Sequence, residues 1–331
     1  MDTTDLHAPP VPPSPVKSLL AGFDIISNHI ALIMFSIVLD LFLWFGPRLS
    51  PQKLIMDIFQ QAQSLPEAQS ADMAGLLEDS RVLWQALLER INVFSALHTI
   101  PVGIPSLMAG RAPILTPLGI PQDWQLPSLL ATAGLWLLLA LCGLLIGTFY
   151  FSLISQAVLQ GQVNWGQALS QWPWLARQSI SLALFWLVLF LGLAVPFICL
   201  LSVLLVMGMN IGQLVLLIYA VLVVWVFFPL IFSPHGIFTF HSGLWATVLQ
   251  SLHMTRATLP STGLFLLAVL VLSQGLNMVW RLPRESSWFS LVGVVGHAFI
   301  TAGLLAASFV YYRDAQRFVN DKALAQANAQ A

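Results

Sequence analysis

Asp40 lies inside the apolar run IISNHIALIMFSIVLDLFLWFG (25–46), where a carboxylate is out of keeping with its neighbours. A charge in hydrocarbon is costly and usually faces a bundle interior or an aqueous cavity. Asp40 is therefore a candidate for proton coupling or cation binding. The competing reading puts it near the end of its helix, close to Trp44 and Arg48, reaching headgroup water. Gln274 and Asn277 are three residues apart in another apolar run, so they share a helix face and either cross-link helices or line a cavity. With Asp40 they make up the candidate intramembrane polar or transport site. Arg256, Arg313 and Arg317 stand at the edges of apolar runs as candidate contacts to lipid headgroups, Arg317 lying one turn beyond Arg313.

Catalytic patterns are missing from the sequence. His235, His241 and His253 share one loop, but spacings of six and twelve do not set them one turn apart, so they form no evident metal site. There is no His-Glu-x-x-His pair, no Gly-x-Ser-x-Gly elbow and no Gly-rich loop closing on Lys-Ser or Lys-Thr. No catalytic, metal or cofactor-binding residue is assigned, and no cofactor is expected. A membrane lipid hydrolase is the minor alternative. It would draw on the three histidines, Arg256 and the carboxylates of the first loop, which the topology below places on opposite membrane faces.

The elements that carry these residues follow from length and composition. Residues 180–209 run thirty positions without a formal charge. Spanning about 30 Å of hydrocarbon takes about 20 apolar residues. Comparable runs occupy 25–46, 128–157, 211–233, 262–280 and 288–312. The chain is 58% hydrophobic and 8% charged, with mean hydropathy +0.83, whereas a soluble domain is about 25% charged. The expected fold is all-α: a polytopic membrane helical bundle of about six transmembrane helices with interfacial amphipathic helices. A net charge of −1 supplies no basic field for nucleic acid. Membrane lipids are the expected partners, with another membrane protein as a further one. Cys142 and Cys199 both sit in apolar runs and read as small packed hydrophobes.

Residues 1–24 read as a disordered Pro-rich tail, 25–318 as the membrane domain and 319–331 as a flexible C-terminal tail. Span three, interrupted by Pro196, turns at Gly208–Asn210 into span four with almost no loop, and the two read as a tight hairpin near the bundle centre. Residues 47–127 form the one sizeable extramembrane segment. Helical periodicity is expected at 51–63 and 72–92. The stretch 98–124 carries prolines 101, 105, 113, 117 and 121, which argue against a regular element. It either lies along the membrane surface or plugs the bundle vestibule. The loops 158–179 and 235–261, both with Trp and an apolar face, read as interfacial segments and hint at an approximate internal repeat. Gly143 and Gly147, four apart, suit close helix packing, as do Gly293 and Gly296. An even number of spans puts both termini on one side. Discounting Arg81 and Arg90 deep in the long loop, the Lys/Arg balance favours the cytoplasm, for a multi-pass protein of the plasma (inner) membrane.

Three segments carry a resemblance: FYFSLISQAVLQGQVNWGQAL (149–169), SLHMTRATLPSTG (251–263) and ASFVYYRDAQ (307–316). In organisation they resemble bacterial six-span integral membrane proteins, a group that includes the membrane domain of glycerophosphodiester phosphodiesterases. The resemblance covers mainly 128–318. It implies a six-span bundle and no catalysis, because the appended barrel domain and its His and acidic motifs have no counterpart here, and the large first loop departs from the group. The function expected is non-enzymatic: a scaffold or permease partner in envelope or lipid homeostasis. The alternative is a transporter or channel subunit for a small solute or lipid, using a polar cavity near Asp40, Gln274 and Asn277.

Overall fold

The structure is a computed structural model and describes residues 12–64, 71–207 and 212–330. It is almost wholly helical, as the composition requires. Among the described residues, five helices are long and apolar enough to cross a membrane: Leu129–Gln160, Trp165–Leu204, Gly212–Phe240, Leu259–Trp280 and Ser290–Asn328. A sixth span results when a bent pair at the N-terminus is taken as one. The protein is a polytopic membrane helical bundle of about six spans.

The bent pair is α1 (Pro15–Asn28) and α2 (Met34–Phe45), joined by the 3-10 turn Ile30–Ile33 and inclined at 94°. The sequence explains both the start and the break. Ser14 accepts the backbone N–H of Lys17, and Pro15 occupies the first turn, where its missing N–H costs nothing. At the other end Ser27 and Asn28 both donate to the Asp24 carbonyl (2.7 and 2.9 Å), and His29 Nδ1 donates to the Ile25 carbonyl (3.0 Å). Such local side-chain bonds compete with the helix ladder, and His29 leaves the helical region at φ −128°, ψ 49°. Helix therefore begins ten residues earlier than the Pro-rich composition suggests. Residues 1–11 of the expected tail lie outside the described residues.

Span six forms the axis of the bundle. This helix, α12 (Ser290–Gln330), has 56% of its most apolar stretch buried. α1 lies along it in very close approach: a Cβ at Gly22 would sit 2.4 Å from the Ala307 backbone nitrogen, and one at Gly303 would strike the Phe23 ring. In lipid, association depends on such packing between small residues, since tails are as apolar as the helices. α12 also continues as helix to Gln330, through the tail expected to be flexible.

The third and fourth spans do not sit at the centre. They comprise α7 (Trp165–Val206) and α8 (Gly212–Phe227), and none of the most apolar stretch of α7 is buried, against 56% for α12. Their rings pack on each other, Phe197 on Tyr219 at 4.1 Å, and most of their apolar surface faces outward. The charge-free run thus marks the most lipid-exposed hairpin. The segments read as twin interfacial elements also differ in form. After α6 (Leu129–Gln160) and a left-handed Gly161, the chain re-enters helix at Trp165 and runs on as α7 through Pro173. Residues 235–261 instead make two helices, α9 (Ser233–Phe240) and α10 (Leu244–Ala257). Thr247, Ser251 and Thr255 of α10 face the protein while Trp245 and Leu249 are exposed.

The first loop contains more order than its prolines suggest. Helices α3 (Gln52–Gln63) and α4 (Ala71–Leu88) pack together, and Arg81 donates to Glu78 at 2.9 and 2.7 Å. Strand β1 (Arg48–Ser50) pairs in parallel with β2 (Asp123–Gln125), tying the loop's two ends. Asn92 Oδ1 accepts from both Leu49 N and Phe94 N at 3.1 Å.

Candidate functional site

Residues 93–111 turn back into the bundle. Val102, Ile104, Leu107 and Met108 are buried, and the chain forms the short helix α5 (Leu107–Arg111). Non-helical backbone is tolerated at membrane depth only inside protein or against a water-filled cavity. Here the enclosing wall is α6. A Cβ at Gly143 would sit 2.2 Å from the Leu97 carbonyl oxygen, and one at Gly147 would sit 2.6 Å from the Gly103 Cα. The Gly143/Gly147 pair thus admits the loop rather than another helix. Those glycines stand about 21 and 27 Å along α6 at 1.5 Å per residue, so the loop reaches well into the bundle.

Asp40 holds the inner end of this loop. Its carboxylate accepts from Ser106 Oγ, from Leu107 N (3.1 Å) and from Met108 N (2.9 Å), and Ser106 Oγ in turn accepts from Ala109 N (2.9 Å). It caps α5, where the unpaired N–H groups favour an anion. The residue is fully buried. It neither reaches headgroup water nor lines a cavity, and its acceptor capacity is largely taken.

The polar space lies one shell away, between α5, α11 (Leu259–Trp280) and α12. It has a volume of about 390 Å³ and is lined by Ser95, His98, Ser106, Ser273, Asn277, Arg281, His297 and Thr301, among others. Ser273, Asn277 and Arg281 recur at four-residue spacing, one above another on one face of α11 and its C-terminal cap; His297 and Thr301 do the same on α12. Gln274 is exposed and is not among the lining residues. The structure therefore brings Asn277 to the cavity, sets Asp40 behind Ser106, and turns Gln274 outward.

Hydrogen bonds fix the walls and leave one group free. His297 Nδ1 bonds Asn277 Oδ1 at 2.9 Å, and Thr301 Oγ1 donates to the His297 carbonyl at 2.7 Å. His98 Nδ1 donates to the Ile104 carbonyl at 2.7 Å, clasping the loop on itself. His297 is only 6% exposed, and its Nε2 has no partner. A buried unpaired ring nitrogen costs about 1–3 kcal/mol, and the residue that carries it lines the cavity. Arg281 lies over α5, where a Cβ at Gly110 would meet its guanidinium at 2.6 Å.

A second compartment of about 270 Å³ shares Pro105, Ser273 and Thr301 with the first. Its other walls are chiefly apolar: Phe232, Phe265, Leu266, Val269, Leu304 and Leu305. At its far end His235 Nε2 bonds Ser308 Oγ at 2.7 Å. Because the Ser308 hydroxyl donates to the Leu305 carbonyl (2.7 Å), it accepts from Nε2–H, which leaves Nδ1 as an unpartnered acceptor. A larger groove of about 530 Å³ between α2 and α6 is lined almost wholly by apolar side chains. It offers nothing to orient a ligand and reads as a lipid-filled crevice.

A charged clamp ties the first loop to the segment between α11 and α12. Glu285, between α11 and α12, pairs with Arg90 (3.2 Å) and Arg111 (3.8 Å) and accepts from Ile114 N (2.9 Å); its carbonyl accepts from Trp44 Nε1 (3.1 Å). Arg111 also donates to the Pro283 carbonyl. Partial burial draws the Arg111 guanidinium down from its ordinary pKa, and Glu285 opposes that shift. At the other end of the bundle, Arg256 and Arg317 are exposed, while Arg313 pairs with its neighbour Asp314 at 2.9 Å.

Among the described residues, no three metal-ligating side chains converge. Comparison with protein-family models, with curated proteins and with solved structures finds no match.

Sequence reasoning missed Ser273, Arg281, His297 and Thr301 as one group. The four-residue ladder on span five was the available signal. It needed to be read against the i, i+4 pair in span six.

Proposed function

We propose that this is a non-enzymatic integral membrane protein that holds an amphiphile in the cleft between α11, α12 and the inserted loop, in the service of envelope or lipid homeostasis. The observation that carries the reading is a polar compartment that shares a wall with an apolar one, with His297, whose Nε2 is unpaired, in the polar lining. Pockets of this kind, mostly apolar with a few convergent polar groups, are the usual form of ligand sites. The Ser308–His235 pair at the far end of the apolar compartment has Nε2–H donating to a hydroxyl that is itself bonded to the Leu305 carbonyl, the reverse of an activated nucleophile, which favours binding over chemistry.

Several expectations belong with this proposal. The protein resides in the inner membrane with both termini cytoplasmic, on the balance of Lys and Arg across the loops. Kinship with six-span proteins like the phosphodiesterase membrane domain draws support from the meeting of its three segments. Phe151 lies 6.0 Å from Phe309, and Thr262 bonds Tyr311 at 3.0 Å. Transport of the same ligand is a second reading, favoured by the broken α1–α2 pair and the inserted loop, since interrupted elements build midplane sites in transporters.

The test replaces Cys142 and Cys199 with Ser and introduces Ser273→Cys or Gln274→Cys. Cysteine at 273 should react with a membrane-impermeant maleimide, and a total lipid extract should slow that reaction. Cysteine at 274 should stay inert. Inertness at 273, or labelling there that lipid leaves unchanged, overturns the reading.

A further inference from the structure

The cleft's walls say what kind of amphiphile it suits, given that it is the ligand site proposed above. We infer that the ligand carries an anionic head, phosphate or carboxylate, on a single apolar chain, with the head against Arg281, Asn277 and His297 and the chain in the second compartment.

The charge inventory points to the head. Arg281 lines the polar compartment, and among the described residues no carboxylate lies within 4.0 Å of its guanidinium. Two acids in the surrounding elements are committed elsewhere. Asp40 caps α5 from behind Ser106, and Glu285 serves Arg90, Arg111 and Ile114 N. His98 and His297 add two imidazoles to the lining and no negative charge. A guanidinium fork suits the oxygens of phosphate and carboxylate. Because Nδ1–H of His297 donates to Asn277 Oδ1, its unpartnered Nε2 is an acceptor, suited to a hydroxyl of the head and not to its anionic oxygens.

Geometry points to the chain. The second compartment abuts the first at Pro105, Ser273 and Thr301, which both share, so a molecule anchored at Arg281 that passes this wall would run past Val269 towards Phe265 and Leu304. At about 270 Å³ it falls just under the usual range for a drug-sized ligand, about 300–1,000 Å³. That suits one chain rather than two.

Native mass spectrometry of the purified full chain in a non-ionic detergent separates the alternatives. Three probes serve: lysophosphatidic acid, lysophosphatidylcholine with the same chain, and glycerol phosphate with no chain. One lysophosphatidic acid should bind, and the other two more weakly. Arg281→Gln should weaken that binding about 10- to 100-fold, the size of a lost charged hydrogen bond, and Arg281→Lys should restore part of it. Val269→Trp should displace the chain. Thermal unfolding of each variant checks that it remains folded. Equal binding of both lysolipids, unaffected by Arg281→Gln yet lost in Val269→Trp, leaves an amphiphile site standing and overturns the anionic head. Glycerol phosphate binding as well as lysophosphatidic acid overturns the chain. Failure of every probe, or binding that Val269→Trp leaves intact, overturns the inference and removes support from the cleft itself.

Discussion

Asp40 illustrates how a residue's chemistry depends on what its neighbours leave available. A carboxylate in an apolar run invites a transport role, yet here Ser106 Oγ, Leu107 N and Met108 N take it up. Its work is to let a loop end in helix at membrane depth. Asp40→Ala should therefore cost stability, about 2–4 kcal/mol from a lost cap and buried donors left unpaired, read as a lower thermal midpoint in detergent. Asp40→Asn keeps one acceptor and should cost less. If Asp40→Ala leaves the midpoint unchanged while altering ion or proton movement in proteoliposomes, the capping assignment fails and the transport reading gains. The sequence revealed that this carboxylate was unusual. It did not reveal its partners, which lie 66 to 68 positions away in a Pro-rich segment.

At the scale of elements, the two glycines of α6 and the loop they admit form a matched pair. Gly143→Val places branched carbons where the Leu97 carbonyl now lies, within 2.2 Å of the Cβ position. The loop must then withdraw. A cysteine introduced at Val102, buried in the native chain, should be inert to an aqueous thiol reagent in the parent and become reactive in the Gly143→Val background. Equal inertness in both would mean that α6 yields instead of the loop. The spans themselves were legible because bilayer thickness sets a length that apolar runs must meet. The Pro-rich segment 98–124, with apolar residues between its prolines, was legible as either a surface strap or a plug. What composition does not encode is which helix faces meet. Asn277 was visible as a polar residue in a span. Its partner His297 depends on the approach of α11 to α12, set by Gly293 against the Trp280 carbonyl and Gly296 against the Trp280 indole. The same limit misplaced the charge-free hairpin: maximal hydrophobicity fits exposure to lipid, whereas the central α12 carries Gly, Ala and Ser where other helices come close.

The whole molecule divides into two ends that interlock separately, and this bears on topology without reference to charge counts. At one end the first loop, through Arg90 and Arg111, and the end of α2, through Trp44, are clamped to Glu285. At the other, Ser261 donates to the Pro13 carbonyl (2.6 Å), His241 bonds Gln171 (3.3 Å), and Leu244 N donates to Gln178 (3.2 Å). Loops one and five therefore share one membrane face, and the N-terminal segment shares the other with loops two and four. That is the alternation six spans demand and five do not, so the bent α1–α2 pair counts as a crossing. Lys53→Cys and His253→Cys, both at exposed positions, make the test in a background without Cys142 and Cys199. In intact cells an impermeant maleimide should label position 53, and position 253 should react only after lysis. The reverse pattern keeps six spans and inverts the orientation, placing the termini outside. Lys17→Cys, also at an exposed position, decides the crossing: it should behave as position 253 does, and labelling together with position 53 means that α1 and α2 re-enter without crossing, so the count falls to five.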